Sequence, residues 1–304
     1  MRNIFKTFLV IMVLIITVAG CTGNTKAPGE KGQEIISAKE ALKSASNEEV
    51  VLVDAQKSGA YEDGHVKGAV NISRNDITTF GPFPNMLASA EDIAETLAEN
   101  GISNDSKVII YDQNNNMDAG RLWWTMKVYG HQNVKVVSGG LQAMLDAGAE
   151  KTTTAPEVTT AEYKVKTKNE DMIASKEEVK KQVNNPQDDV VLLDVRTDKE
   201  YNEGTIPGSV HFNYINNNYY DSTFRPIRQI HTLYRDKGIT PDKTIIIYCK
   251  SSIRGAQTYV ALYNAGYRKL KLYDGAWIEW SADSSLPVQT PEGTEVKTNF
   301  QDGS

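Results

Sequence analysis

Short, unbroken apolar runs recur along the chain, and each predicts a buried strand. Val190–Val195 and Thr244–Tyr248 are continuous and rich in β-branched residues, and Leu270–Tyr273 forms a third, shorter run. Continuous rather than alternating apolarity suits strands covered on both faces. Lys176–Val183 reads as a helix with Ser175 as its N-cap, and Gly255–Ala265 reads as a helix ended by Gly266. Strands alternating with helices predict an α/β fold, a mostly parallel sheet with helices on both faces. In such sheets chemistry gathers at the carboxyl ends of the strands. Asp194 and Cys249 both stand there.

The same pattern occurs twice. Val50–Asp54 matches Val190–Asp194 at an offset of 140, and Ala60–Asn71 lines up with Glu200–His211. Gly101–Asp112 matches Gly238–Cys249 at 137, and Ser138–Met144 pairs with Tyr273–Glu279 at 135. A repeat of this length is a duplicated domain rather than a solenoid unit. The expected organisation is a first domain over residues 33–150 and a second over 173–290. A Thr-rich linker, 151–172, joins them, and a solvated tail, 291–304, follows.

The N-terminus has a different character. Arg2 and Lys6 precede an apolar run from Phe8 to Val18, and then Val18-Ala19-Gly20-Cys21. Residues 1–20 read as a secretory signal. The ending resembles the bacterial lipobox, which implies cleavage before Cys21, lipid on that residue and stable attachment to a membrane surface. Residues 21–32 would be a spacer. Without the leader, 31 Lys and Arg face 39 Asp and Glu, a formal charge of −8 over 284 residues. No basic stripe with interleaved aromatics occurs, which argues against a nucleic-acid partner. The four histidines are scattered without metal-ligand spacing.

Only two cysteines are present, Cys21 and Cys249, so with Cys21 acylated Cys249 is a free thiol. "IIIYC" alone fits a small apolar residue at a strand end. The polar loop Lys250-Ser251-Ser252 and the helix beyond it fit a nucleophile. A thiol reacts as a thiolate, and a tight turn of backbone N–H groups can cradle an anion. The helix dipole, Lys250 and Arg254 add positive potential, and Ser251 and Ser252 add hydroxyl donors.

Cys249-Lys250-Ser251-Ser252-Ile253-Arg254 resembles the six-residue active-site loop of rhodaneses. Tyr273–Trp280 ("YDGAWIEW") is similar to that family's C-terminal signature, and Leu192–Val210 to its N-terminal one. The resemblance covers both copies and implies two tandem rhodanese-like domains, only the second of them catalytic. It implies a sulfurtransferase in which Cys249 takes sulfane sulfur from a small anionic donor, thiosulfate or 3-mercaptopyruvate. A thiophilic acceptor such as cyanide then removes the sulfur, with no metal or organic cofactor. Lys250, Ser251, Ser252, Ile253 and Arg254 would bind substrate. Asp194 and Arg196 would form polar contacts beneath the loop. Glu200 and Glu279 would pair with Arg196 or Arg254, and Trp277 would line the cleft or pack. Asp112 stands where the first copy would need its nucleophile, and a carboxylate cannot carry a persulfide.

Two positions depart from the family pattern. Ser252 replaces a frequent Gly, and Thr205 replaces the usual His before Ile206-Pro207-Gly208. Two rival readings remain open on the sequence. One is a partner-dependent sulfur carrier or redox module. The other is a cysteine phosphatase, whose loops have five residues between Cys and Arg where this chain has four.

Overall fold

The structure is a computed structural model that describes residues 32–47 and 49–296. The leader, Cys21 and the last eight residues lie outside the described residues. Two five-stranded, all-parallel sheets carry the fold. The first runs Ile35–Ile36, Val134–Val137, Lys107–Tyr111, Val50–Asp54, Val70–Asn71. The second repeats that order with Ile173–Ala174, Leu270–Tyr273, Thr244–Tyr248, Val190–Asp194, Val210–His211. The predicted α/β class with two tandem domains is therefore what the chain adopts. Thr244–Tyr248 is central in its sheet, and Ile245, Ile247 and Tyr248 are fully buried. That is why its apolar run is continuous. Ser175 caps Lys176–Asn184 as expected, in a reciprocal arrangement with Glu178.

The domains meet along two long helices, Met117–Val128 and Ile253–Asn264. Nearly every residue of both is buried, as expected of helices packed on all sides. They touch most closely at Gly120, where an added Cβ would stand 2.9 Å from Gln257 Cα. One hydrophobic core runs through both domains, from Val53, Ile110 and Trp124 to Tyr259, Ile247 and Leu272. A smaller cluster lies on the outer face of each sheet.

Three boundaries differ from the sequence reading. The helix after Cys249 starts at Ile253, two residues earlier than predicted, because Ser252 alone makes the turn. The segment read as a linker lies against the first domain. Lys151–Thr152 pairs with His65–Val66, the Ala161 and Lys166 N–H groups donate to Ala98 and Tyr129, and Tyr163 is buried. Backbone hydrogen bonds hold this stretch, so it shows no side-chain period. The segment read as a tail begins inside a hairpin, Pro287–Thr290 with Gly293–Val296.

Gly120→Val tests the helix crossing. The closest obstacle is backbone, so overpacking should cost about 1–3 kcal/mol in urea unfolding. Gly59→Ala, in a helix with open space around it, should change stability by less than about 1 kcal/mol and in the favourable direction. A Gly120→Val protein as stable as the wild type would refute the crossing.

Candidate active site

Cys249 follows directly on the central strand of the second sheet, and is 1% exposed. Its carbonyl accepts from the Trp277 N–H (3.0 Å) and the Lys250 carbonyl from the Ile278 N–H (3.1 Å). The start of helix Ala276–Ala282 thus clamps the chain directly after the thiol-bearing carbon. Ser252 then adopts φ 64°, in the left-handed region. Among the described residues the N–H groups of Lys250, Ser251 and Ser252 donate to no protein acceptor. First-turn helix amides such as that of Arg254 have no intrahelical partner. Gly255 lets the helix approach the sheet: a Cβ there would meet Leu272 at 2.7 Å.

The first domain shows what such a loop binds. Asp112 occupies the place of Cys249, and Asn116, at φ 62°, caps its helix as Ser252 does, in a loop one residue longer whose Asn115 is also left-handed (φ 55°). The Asp112 carboxylate accepts four backbone N–H bonds inside its own loop. Oδ1 takes those of Asn114 (2.8 Å) and Asn116 (3.0 Å), and Oδ2 those of Asp118 (2.8 Å) and Ala119 (2.9 Å). Burial, then the charge of Asp118, push the Asp112 carboxyl up to about 6 against the pull of these amides. The loop geometry is thus an anion nest, filled by a side chain in one copy and backing a thiol in the other.

Charged groups around Cys249 are tightly arranged. Arg254 makes a bidentate pair with Glu200, Nη1 to Oε2 at 2.6 Å and Nη2 to Oε1 at 2.8 Å. Burial pulls the Arg254 guanidinium down, but Glu200 and the adjacent Cys249 outweigh it and hold it above its usual range. Arg254 hydrogen bonding and Thr197 hold the Glu200 carboxyl at about 2 in spite of burial. Tyr214 lies 5.8 Å from the Arg254 guanidinium, measured to its ring. Burial lifts its phenol, with Arg254 opposing and Cys249 adding to the rise. Lys250 is exposed, and among the described residues no carboxylate pairs with it.

Beneath the loop, Arg196 grips Asp194 through Nε (3.0 Å) and Nη2 (2.6 Å). Its guanidinium lies 4.3 Å from the Trp277 ring. Thr205 Oγ1 donates to Asp194 Oδ2 (2.9 Å) and lies 2.7 Å from the Tyr248 hydroxyl. Thr205 therefore keeps a polar link between the strand-end acid and Tyr248, and its departure from the family pattern leaves no buried group orphaned.

Several expected roles change. Ser252 does not offer its hydroxyl to a ligand at Cys249, because its Oγ accepts from Arg121 Nη1 (2.9 Å) while donating to the Ser251 carbonyl (2.7 Å). Ser251 Oγ accepts from Asn85 Nδ2 (3.0 Å). Ile253 is buried in the core. What Ser252 and Ile253 give the site is backbone. Glu279 pairs with neither Arg196 nor Arg254, because Asp194 and Glu200 already hold them. It lies beside Tyr273, whose phenol burial and then the Glu279 carboxylate push above its ordinary range. The Ser138–Met144 pairing also shifts by one. Gly140 (φ 58°) matches Ala276 (φ 55°), and Leu141 N–H binds the Asp112 carbonyl as Trp277 N–H binds that of Cys249.

Sequence reasoning missed Asn85, Arg121, Asp274 and Tyr214. Arg121 is fully buried in the first domain's long helix and reaches the second domain's loop. Its Nη1 binds Ser252 Oγ and Asp274 Oδ1 (2.7 Å), and its Nη2 binds the Asn85 carbonyl (3.0 Å). A signal existed, since a lone cation in the apolar run "RLWWTM" must find a partner. Nothing marks Asn85. Among the described residues no cluster of His, Cys, Asp and Glu could hold a metal ion.

The rhodanese-like domain profile matches residues 37–147 and 175–283, one copy on each sheet. The chain belongs to the rhodanese-like family as a tandem-domain member. Among its relatives is the sulfur carrier protein TtuD of Thermus thermophilus, 30% identical over 251 residues, covering 76% of this chain and 87% of the relative. The thiosulfate sulfurtransferase of Corynebacterium glutamicum is 27% identical over 264 residues, covering 81% and 86%. The anaerobic ergothioneine biosynthesis enzyme of Chlorobium limicola shares the fold, with a TM-score of 0.77 at 23% identity over 84% of this chain and 70% of that one. These relatives support a sulfur-transferring class for the family.

The Glu200–Arg254 pair predicts a pH signature. A carboxyl lowered from 4.5 to about 2 stabilises the folded state fully above pH 4.5, and that contribution is lost as pH falls through about 2. The stability difference between wild type and Glu200→Gln should be largest above pH 4.5 and shrink steadily below it. A difference independent of pH between 2 and 6 would contradict the pairing.

Proposed function

We propose that the protein is a sulfurtransferase that carries sulfane sulfur as a persulfide on Cys249. The observation behind this reading is the pair of matching loops. Where the first copy's amides bind the Asp112 carboxylate, the second copy's amides surround a thiol flanked by Arg254 and Lys250. A cation and unpartnered backbone amides beside a thiol are what a nucleophilic cysteine requires.

With thiosulfate as donor, the Cys249 thiolate attacks the sulfane sulfur. An S–S bond forms to Sγ, the S–S bond of thiosulfate breaks, and sulfite leaves with the electron pair. Lys250 and the loop amides suit the anionic donor and leaving group. In the second half-reaction cyanide attacks the outer sulfur, thiocyanate leaves, and the thiolate is restored. Two half-reactions through a covalent intermediate give ping-pong kinetics. 3-Mercaptopyruvate is the other donor within this proposal, with pyruvate as its product. The proposal places the enzyme at a membrane surface through lipid on Cys21. The relative named as a sulfur carrier supports a second reading, in which the acceptor of the Cys249 sulfur is a protein. A phosphatase is disfavoured, because four residues between Cys249 and Arg254 make a smaller nest than five.

Intact mass of the Cys21→Ser chain, before and after thiosulfate and then cyanide, tests the reading. One added sulfur that maps to Cys249 and is discharged by cyanide is expected, with none added in Cys249→Ala. Loading without discharge to cyanide or sulfite would favour the protein acceptor. A folded protein that gains no sulfur from thiosulfate or mercaptopyruvate would overturn the enzyme reading.

A further inference from the structure

We infer that Arg121, supplied by the domain without a nucleophile, is a positioning residue for the Cys249 loop. It acts by holding Ser252 in the left-handed conformation. The inference rests on the reading of Cys249 as a thiolate nucleophile, and goes beyond it in making the first domain part of the site.

The argument starts from a cost. A residue with a Cβ at φ 64° is disfavoured by roughly 1–2 kcal/mol relative to ordinary helix or strand conformations. Glycine would avoid most of that cost. Ser252 is fully buried, so its hydroxyl also needs partners. One guanidinium supplies them. Arg121 Nη1 binds Ser252 Oγ at 2.9 Å and Asp274 Oδ1 at 2.7 Å, while Nη2 binds the Asn85 carbonyl at 3.0 Å. Asn85 in turn donates to Ser251 Oγ, and the Leu87 N–H donates to Asp274 Oδ2 at 2.7 Å. Two successive loop side chains are thus held by the first domain, next to the acid that opens the Gly275–Trp277 clamp on Cys249.

Arg121 itself is enclosed. It is fully buried, and its guanidinium stacks 4.6 Å from the Trp124 ring. A planar fork with several donors can satisfy three acceptors at once; an ammonium is a point charge. The groups that act on Cys249 are Arg254, with Glu200 behind it, and Tyr214, while Lys250, next in the chain, is exposed. Arg121 is not among them, so its influence passes through the Ser252 backbone. That one torsion sets how the following helix, with first-turn amides such as that of Arg254, is aimed relative to Cys249.

The test needs no sulfur donor. It measures the rate at which iodoacetamide modifies the Cys249 peptide in the intact folded chain, across pH 5–9. Two variants remove the tether. Arg121→Met with Asp274→Asn removes both charges together, so neither is left buried and unpaired. Arg121→Lys keeps the ion pair but loses the fork, and carries the test if the double variant melts too low. In each, modification at pH 7 should slow by about five- to tenfold, since the rate follows how well the loop and the helix start are aimed at the sulfur.

Adding Ser252→Gly to either variant should restore at least half of the lost rate, because glycine holds the left-handed position without help. A purely structural role for the ion pair would not be rescued this way. The inference fails if folded variants react like the wild type, if Ser252→Gly leaves the loss unchanged, or if wild-type Cys249 is unreactive at every pH. Sulfur loading of the wild type, read separately by mass, tells failure of this inference from failure of the sulfurtransferase reading.

Discussion

A left-handed turn between strand and helix is the constraint on which each site loop depends, made by Asn115 and Asn116 in the first copy and by Ser252 alone in the second. At Asn116 (φ 62°) and Ser252 (φ 64°) the chain turns so sharply that helix amides face back toward the strand end. Neither residue is glycine, so each must be held. Asn116 is held from both domains: its Nδ2 donates to the Ser222 carbonyl of the second at 2.7 Å, and its Oδ1 accepts from the Gly139 N–H of its own. Ser252 is held from the first, through Arg121. The covering segments correspond as well. Asn85 and Ser222, 137 residues apart, both sit at φ 65°. The next-but-one N–H of each segment binds the matching position of the partner domain, Leu87 to Asp274 and Phe224 to Ser138. The duplication has become a reciprocal arrangement about the Gly120–Gln257 crossing, each copy completing the other's loop.

With backbone so closely shared, the difference between the copies lies in charge. The first loop supplies its own anion, and its next acid, Asp118, is neutralised by Arg74 at 2.6 Å. In the second loop the signs are exchanged: Arg254 stands near the helix start, and Glu200 neutralises it from outside. Asp118 raises the cost of charge on Asp112, whereas Arg254 sets a cation beside Cys249. One loop geometry can therefore serve as a closed structural knot or as an open reactive one, according to which sign faces the strand end.

The sheet strands were legible because burial on both faces writes an unbroken apolar run, and the strand Thr244–Tyr248 was readable to the residue. The duplication was legible for the same reason. The third repeat block was misaligned by one because Gly140 and Ala276 share a torsion that composition does not display. Cys249, Arg254 and Glu200 could be read because charge and a thiol at a strand end are chemically conspicuous. The hydroxyl of Ser252 faces the other domain rather than the thiol, which no local pattern reveals. Arg121 was written in plain sight, as a cation in an aromatic helix, but its partners are 36, 131 and 153 residues away.

That long reach bears on why a domain without a nucleophile remains in the protein. Its buried ion pair with Asp274 is weak grounds for stability, since desolvation offsets much of the attraction. Packing does not require a charge there either, for the core around it is built from Trp123, Trp124, Tyr259 and Leu262. What a fully buried guanidinium supplies, and an apolar side chain cannot, is direction: fixed donors toward Ser252, Asp274 and Asn85. The first domain keeps a polar residue at the centre of an apolar interface because the geometry of the neighbouring loop is specified from there.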